Sequence, residues 1–507
     1  MFEGILVGLA TVLTIQNLLL VFAGCLAGTL IGMLPGLGPI SAIALMIPIT
    51  YALDPASGMI LLAGVYYGAI FGGSTSSILI NAPGVAGTVA TAFDGYPMAR
   101  QGKAGKALTI AAYASFAGGT LAAIFLVLLA PYLAELSLGF RSADYFMLMV
   151  LGLSLVSAFA AEGEHLKALL MTILGLMLAT VGTDLTAGVQ RFTFGRMDLI
   201  DGISFLLLAM GTFALAEAFM MVLKPSQSAN NSLPTTDLGL DRQEIREIAP
   251  VVGRSSVLGF LVGVLPGAGA TIASFLAYGM ERGIASTADK AQFGKGSLKG
   301  LAAPESANNA ACTGSFVPLL TLGIPGSGTT AILLGALIAY GIQPGPRLYI
   351  DQPEIFWSVI VSMYFGNMIL LFLNLPLIPY IAKLLTIPRT FLIPLIGFFS
   401  LTGVYLVSFN PFDLQLMLYI AVCAVILRLM TFPMAPVLLG FILGGMLEDN
   451  LRRAITLSDG NASFLWERPT TLCLLVLTVI ALMSPLLRML MKSALKGFKD
   501  KQNASRL

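Results

Sequence analysis

A chain of 507 residues that is 57% hydrophobic and only 11% charged, with mean hydropathy +0.89, lies far from the roughly 25% charged residues of soluble domains. That composition excludes a water-soluble globular fold and predicts an all-α polytopic membrane protein of roughly a dozen spans. The formal net charge of +2 says little about partners; the distribution of charge along the chain says more.

The N-terminus, MFEGILVG, carries an acid and no basic stretch, so a cleaved signal peptide is not expected. Residues 28–38 read GTLIGMLPGLG, an apolar stretch broken by Pro and Gly. A polar element follows at 73–88, GSTSSILINAPGVAGT, and then a basic loop at 94–106. Apolar runs long enough to span a bilayer include 108–130 and 200–223. His165, the single histidine, sits in a charged turn, and Asp184, Arg191 and Arg196 fall in a predicted outer loop. The segment 225–241 (PSQSANNSLPTTDLGLD) is rich in Ser, Asn, Pro and Thr and reads as a linker. Beyond it the opening pattern returns: GFLVGVLPGAG at 259–269, then GSFVPLLTLGIPGSGTT at 314–330. Further spans are expected at 355–375 and 472–490, and the chain ends in a basic tail. The four cysteines are scattered in apolar segments without CxxC spacing, which supports neither a disulfide framework nor a zinc site.

Cytoplasmic loops of membrane proteins accumulate Lys and Arg. The loop 94–106 holds Arg100, Lys103 and Lys106 against one acid and is expected inside; 340–354 holds Arg347 against Asp351 and Glu354 and is expected outside. The basic loop 281–299 has a first-half equivalent, 53–55, with only an acid. Corresponding loops therefore take opposite sides, as inverted-topology repeats require. Lys224, Lys383, Arg389, Arg428 and the C-terminal tail come out cytoplasmic in this scheme. The expected organisation is a first membrane repeat with accessory helices (1–223), a polar cytoplasmic linker (224–254) and a second repeat with accessory helices and the tail (255–507). Each repeat carries a Gly/Pro-broken or re-entrant polar hairpin.

Duplicated broken helices mark secondary transporters, with the binding site where the breaks meet. A helix break leaves N–H and C=O groups without partners, tolerable at membrane depth only in a cavity or protein interior. Free N–H ends suit a carboxylate, and carbonyls with hydroxyl oxygens suit Na⁺. The substrate-binding candidates are thus Ser74, Thr75, Ser76, Asn81 and Gly84 in the first half, and Asn308, Asn309, Ser315, Gly326, Ser327 and Thr329 in the second. Glu305, Thr313 and Ser77 are the cation-coupling candidates; Glu305 is the one acid embedded in these elements, although an acid in a helix's first turn reads equally as a cap. No catalytic motif, resident cofactor or metal is expected beyond a transported Na⁺. Glycines such as Gly28, Gly32, Gly118 and Gly119 read as helix-packing positions. Tyr66 and Tyr67 read either as interfacial anchors or as cavity lining.

The stretches GMLPGLGP (32–39), YYGAIFGGSTSSILINAPG (66–84), DGYPMARQGKAGKAL (94–108), VLPGAGA (264–270), PESANNAACTGSFVPLLTLGIPGSGTTAILLGAL (304–337) and GIQPGP (341–346) resemble the large membrane subunit of the tripartite tricarboxylate transporters, the TctA family. The resemblance runs through nearly the whole chain. It implies uptake across a bacterial cytoplasmic membrane, driven by Na⁺ or H⁺. It also implies two partners: a small four-helix membrane subunit (TctB-like) and a periplasmic solute-binding protein (TctC-like). Citrate and other di- or tricarboxylates are the implied cargo, with aromatic carboxylates as the alternative. A passive anion channel is the competing class, although no ring of charge or carbonyl filter is visible.

Overall fold

A computed structural model of the chain describes residues 2–34, 37–158, 164–184, 187–223, 238–267, 269–381 and 389–483. Pro35-Gly36 of the first break, the first part of the expected linker (224–237, with Lys224), Lys383 and the basic tail lie outside the described residues. The protein is an all-α polytopic membrane protein. Among the described residues eight helices are long and apolar enough to cross a membrane, and the remaining apolar helices are shorter.

Two compact units are present. The first comprises Met1–Leu138 and Val181–Met434. Its helices are α1 (Phe2–Val12), α2 (Ile15–Gly32), α3 (Gly38–Thr50), α4 (Pro55–Ile80), α5 (Val89–Met98) and α6 (Ala104–Ser137). The second unit's α7 (Ser142–Ala158) and α8 (His165–Ala179) interrupt it in sequence. The first unit resumes with α9 (Phe205–Leu223), α10 (Arg242–Val264), α11 (Gly269–Ile284), α12 (Leu298–Gly314), α13 (Phe316–Leu322), α14 (Gly328–Ala339), α15 (Pro353–Asn374), α16 (Arg389–Ser408) and α17 (Pro411–Leu429). The second unit closes with α18 (Ala435–Leu457) and α19 (Pro469–Met483).

Glycine spacing builds the centre of the first unit. Lipid supplies no hydrophobic drive for helices to associate, so close van der Waals contact must do it. On α2, Gly24, Gly28 and Gly32 lie against the carbonyls of Leu61, Val65 and Ala69; on α4, Gly68 and Gly72 lie against those of Cys25 and Thr29. The second half repeats the arrangement, with Gly259 and Gly263 of α10 against the carbonyls of Ala307 and Ala311 of α12. Gly118 of α6 packs on the backbone of Ser306, fastening α6 to α12. The packing role expected for Gly28, Gly32, Gly118 and Gly119 is what these positions do.

Caps set the helix ends. Asp54 accepts the Ser57 N–H (3.0 Å) to start α4, with Pro55 at its first position. Asp241 and Glu244 form a capping box that starts α10 inside the segment expected as linker. A π-helical turn at Met210–Leu215 in α9 releases carbonyls from the regular ladder. Two of them find side-chain donors: Arg428 Nη2 donates to Thr212 O (2.8 Å) and Ser41 Oγ to Phe213 O (3.2 Å). Arg428 also pairs with Glu217 at 2.5 Å. In the loop expected outside, Gly182–Thr183 and Gln190–Arg191 form a two-stranded antiparallel pair, and Arg191 approaches Asp184 at 3.7 Å.

In the second unit, reciprocal glycines again set the spacing: Gly175 of α8 meets the Val437 carbonyl and Gly440 of α18 meets that of Thr172. Asp144 is fully buried there and accepts from the Arg141 N–H, Thr470, Thr471 and Arg468.

A Cβ at Gly32 would collide with the Ala69 backbone, whereas one at Gly253 meets nothing. Gly32→Leu should therefore cost about 3 kcal/mol or more, since helix backbones cannot give way as a flexible side chain does. Gly253→Leu should stay within about 0.5 kcal/mol of the parent. Thermal unfolding of the purified variants in detergent checks both.

Candidate substrate and coupling site

The two polar hairpins are built alike. Helix α4 ends at Asn81, which adopts the left-handed conformation (φ 52°) and returns its N–H to Ser76 O; α13 ends at Gly323 (φ 70°), whose N–H returns to Pro318 O. Pro83 and Pro325 follow two residues on and stop either helix from continuing. Gly and Asn are the residues that tolerate this cap. Asn81 is exposed, and its backbone serves as a helix stop.

Each tip glycine then packs on the break of its own half. A Cβ at Gly84 would strike the Gly32 carbonyl, and one at Gly326 would lie 3.0 Å from the Gly263 carbonyl. In the second half a main-chain hydrogen bond, Gly267 N–H to Gly326 O (3.0 Å), ties tip to break. Ahead of the first tip, Ser77 and Ser76 donate to Gly73 O (2.9 and 3.1 Å), and the Ser77 hydroxyl lies 2.8 Å from that of Thr88 beyond the tip. Beyond the second tip, Ser327 and Thr330 form a capping box that opens α14. The box satisfies part of the helix start and leaves the Gly328 and Thr329 amides with no intrahelical acceptor.

Glu305 lies on α12, fully buried. Three hydroxyls donate to it: Ser74 of α4 to Oε2 (2.7 Å), Ser115 of α6 to Oε2 (2.9 Å) and Thr91 of α5 to Oε1. A buried carboxylate is costly unless it is hydrogen-bonded or paired; here hydroxyls from three helices do the work. Its position is fixed by Asp94, also fully buried. Asp94 Oδ1 accepts the N–H groups of Gly294, Gly296 and Ser297 (2.9, 2.9 and 2.7 Å), gathering the turn that leads into α12. Ser297 completes the start by accepting the Gly300 N–H (3.1 Å). Thr91 and Asp94 share one helix, so α5 grips α12 both at its entrance and at Glu305.

One turn beyond Glu305 stand Asn308 and Asn309, both buried. Asn309 Nδ2 donates to Asn308 Oδ1 (2.6 Å) and to the Glu305 carbonyl (3.1 Å). That leaves Asn308 Nδ2, a donor, and Asn309 Oδ1, an acceptor, without partners among the described residues. Thr313 donates to Asn309 O (3.3 Å) and Ser315 to Cys312 O (2.7 Å). Tyr66 and Tyr67 are buried and pack against Phe316 with ring centroids 5.9 Å apart, so neither has the exposure of an interfacial anchor. The Tyr66 hydroxyl points toward Cys312, Ser315 and Ser327. The Tyr67 hydroxyl, directed toward Thr313, forms no regular hydrogen bond.

The structure therefore gathers Ser74, Glu305, Asn308, Asn309, Thr313, Ser315 and Ser327 along the α4 and α12 helices and the second tip. Thr75 is buried beside Ser74. Ser76 and Ser77 spend their hydroxyls on the backbone and first-hairpin closure, while Gly84, Gly326 and Thr329 belong to the tips. The sequence pattern does not single out Thr91, Ser115 or Asp94, because isolated Ser and Thr in apolar helices usually return to their own carbonyls. Two asparagines of α15, Asn367 and Asn374, are also buried with unpaired amide atoms. Their seven-residue spacing in an apolar helix was the signal available.

Helices of this length, with paired Pro-Gly hairpins enclosing uncharged polar groups and one carboxylate, define a membrane transporter of the broken-helix kind. Residues 18–439 match the model of the tripartite tricarboxylate transporter TctA family, and the chain belongs to that family, one of transporters rather than enzymes. It is 45% identical over 480 residues, 95% of each chain, to an "uncharacterized 52.8 kDa protein in TAR-I ttuC' 3'region" of Agrobacterium vitis. A second Agrobacterium vitis relative, an "uncharacterized protein in TAR-II ttuC' 3'region", is 44% identical over 229 residues, 45% of this chain and 94% of that one. No solved structure matches.

Asp94→Ala would strand three amides that one carboxylate oxygen now satisfies. At about 1–3 kcal/mol for each unmet buried group, it should destabilise more than Ser77→Ala, whose acceptor Gly73 O is also served by Ser76 and Thr88. Unfolding midpoints of the two variants in detergent should fall in that order.

Proposed function

We propose that this chain is the large permease subunit of a tripartite, cation-driven uptake system for di- or tricarboxylates such as citrate. It works in the bacterial inner membrane with its C-terminus cytoplasmic. A small four-helix membrane subunit completes the permease, and a periplasmic binding protein delivers the acid. The observation that carries the reading is the unused donor and acceptor of Asn308 and Asn309, one turn from a buried carboxylate in an apolar bundle. Buried polar atoms without partners demand an explanation, and a polar substrate supplies one.

In this reading the carboxylate groups of the cargo are held by Asn308 Nδ2, the Ser315 and Ser327 hydroxyls and the free Gly328 and Thr329 amides, where the helix dipole favours an anion. The glycine tips Gly84 and Gly326 let the substrate reach the backbone, with Ser74, Thr75, Ser76 and Asn81 on the first-hairpin side. Glu305, with Thr313 and Ser77 near the hairpin backbones, binds the coupling Na⁺ or H⁺. The two hairpins belong to inverted repeats that expose the site alternately to either side. The wall of Tyr66, Tyr67 and Phe316 favours a second cargo class, aromatic carboxylates, by the same mechanism.

Uptake of labelled citrate, a four-carbon dicarboxylate and an aromatic acid should be measured in cells carrying all three subunits, with imposed and collapsed Na⁺ and H⁺ gradients. Accumulation of one acid above its external level, driven by one gradient, is the expected result. Asn308→Ala and Asn309→Ala should each reduce it about tenfold or more at unchanged membrane content, equivalent to roughly 1.4 kcal/mol or more. Flux that merely equilibrates, whatever the gradient, identifies a passive anion channel instead.

A further inference from the structure

Ser74 and Ser115 donate to the same oxygen of Glu305, and both also line a small internal cavity between α4, α6 and α15. Thr75 lines it too, as does Asn374 from the end of α15. Asn374 is buried; its Nδ2 donates to Leu370 O (2.9 Å), and its Oδ1 has no partner among the described residues. The cavity has room for about one water-sized sphere. Its remaining walls are apolar, including Phe71 and Leu108.

We propose that this cavity is a Na⁺ site, with Ser74 Oγ, Ser115 Oγ and Asn374 Oδ1 as its protein ligands, Thr75 beside them, and the Glu305 carboxylate behind the two serine hydroxyls balancing its charge. The proposal rests on the reading of Glu305 as the coupling group and names the ion that group serves. Every ligand is an oxygen, which suits a hard cation and excludes soft transition metals. No other Asp, Glu, His or Cys joins Glu305 in a metal-binding group among the described residues. One carboxylate balances one positive charge, whereas a divalent ion would leave a net buried charge at membrane depth. A serine hydroxyl has one proton and two lone pairs, so Ser74 and Ser115 can keep donating to Glu305 while they face the ion. A proton bound to Glu305 would need neither the cavity nor the unused Asn374 carbonyl; a desolvated Na⁺ needs both. The site lies away from the hairpin tips, and Ser74 and Thr75, which also form the first-hairpin side of the substrate site, stand where ion and substrate adjoin.

The test needs no substrate. The purified full-length chain is unfolded thermally in detergent at pH 8, with NaCl replacing choline chloride at constant ionic strength. Sodium should raise the unfolding midpoint of the wild type with a saturable dose dependence, as binding to the folded state requires. Asn374→Leu and the milder Ser115→Ala should each shift the half-saturating Na⁺ upward about tenfold, and Glu305→Gln should abolish the response. Ser255→Ala, which removes a buried hydroxyl on α10 away from this cavity, should respond like the wild type.

Three results overturn the site: no stabilisation of the wild type by Na⁺, an equal response to KCl, or unchanged half-saturation in both Asn374→Leu and Ser115→Ala. If carboxylate uptake is nevertheless gradient-driven, the transport reading stands and only the Na⁺ site falls. If uptake ignores every gradient, both fall together.

Discussion

The closest constraint in this molecule is the approach of helix backbones through glycine. Gly28 and Gly32 of α2 rest on α4 carbonyls, and Gly259 and Gly263 of α10 rest on α12 carbonyls. These contacts hold the helix carrying each Leu-Pro-Gly break against the helix that ends in a polar hairpin. The hairpin tip then has only one place to fold, over the break itself, where Gly84 meets Gly32 and Gly326 meets Gly263. In the second half the Gly267 N–H beside the break is taken up by the Gly326 carbonyl, the kind of protein partner that irregular backbone at membrane depth requires. Larger residues at these positions would separate the helices and open the breaks to lipid.

The hydroxyls of the central helices fall into two groups that composition cannot separate. Ser76, Ser77, Ser306 and Thr321 return to carbonyls three or four residues back. Ser74, Thr91 and Ser115 reach across to Glu305. The difference lies in which face of the helix each occupies once α4, α5 and α6 surround α12. Asp94 sets that arrangement by holding the turn before α12 in place, so the carboxylate is positioned through a turn that begins eleven residues upstream of it, at Gly294.

Much of this was readable from the chain itself. The hydrophobic content fixes an all-α membrane fold, and the matching GxLPG and Pro-Gly peptides locate the hairpins. Glu305, Asn308 and Asn309 stand out as polar residues in a helix with no amphipathic excuse for them. Asn81 shows what reading by residue type leaves out: an asparagine before Ala-Pro-Gly has the chemistry of a ligand, and its backbone here also caps a helix in a left-handed conformation. Thr91 and Ser115 were invisible for the opposite reason, since their role depends on a partner far away in sequence. The span count is blurred because several apolar helices, such as α3 and α14, are shorter than a bilayer is thick.

Those sequence separations bear on how the protein is made. Glu305 is 231, 214 and 190 residues from Ser74, Thr91 and Ser115. The three hydroxyls therefore enter the bilayer long before the ribosome reaches their acid. Ser74 can wait on its own helix, since Ile70 O lies 3.3 Å away, but Glu305 has no such local refuge. Helix α12 must arrive either with its acid neutral or together with the turn that Asp94 captures. Maturation of the whole protein thus hinges on one late docking event between segments translated far apart, and a chain stalled before it would present a lone intramembrane acid to the cell's quality control.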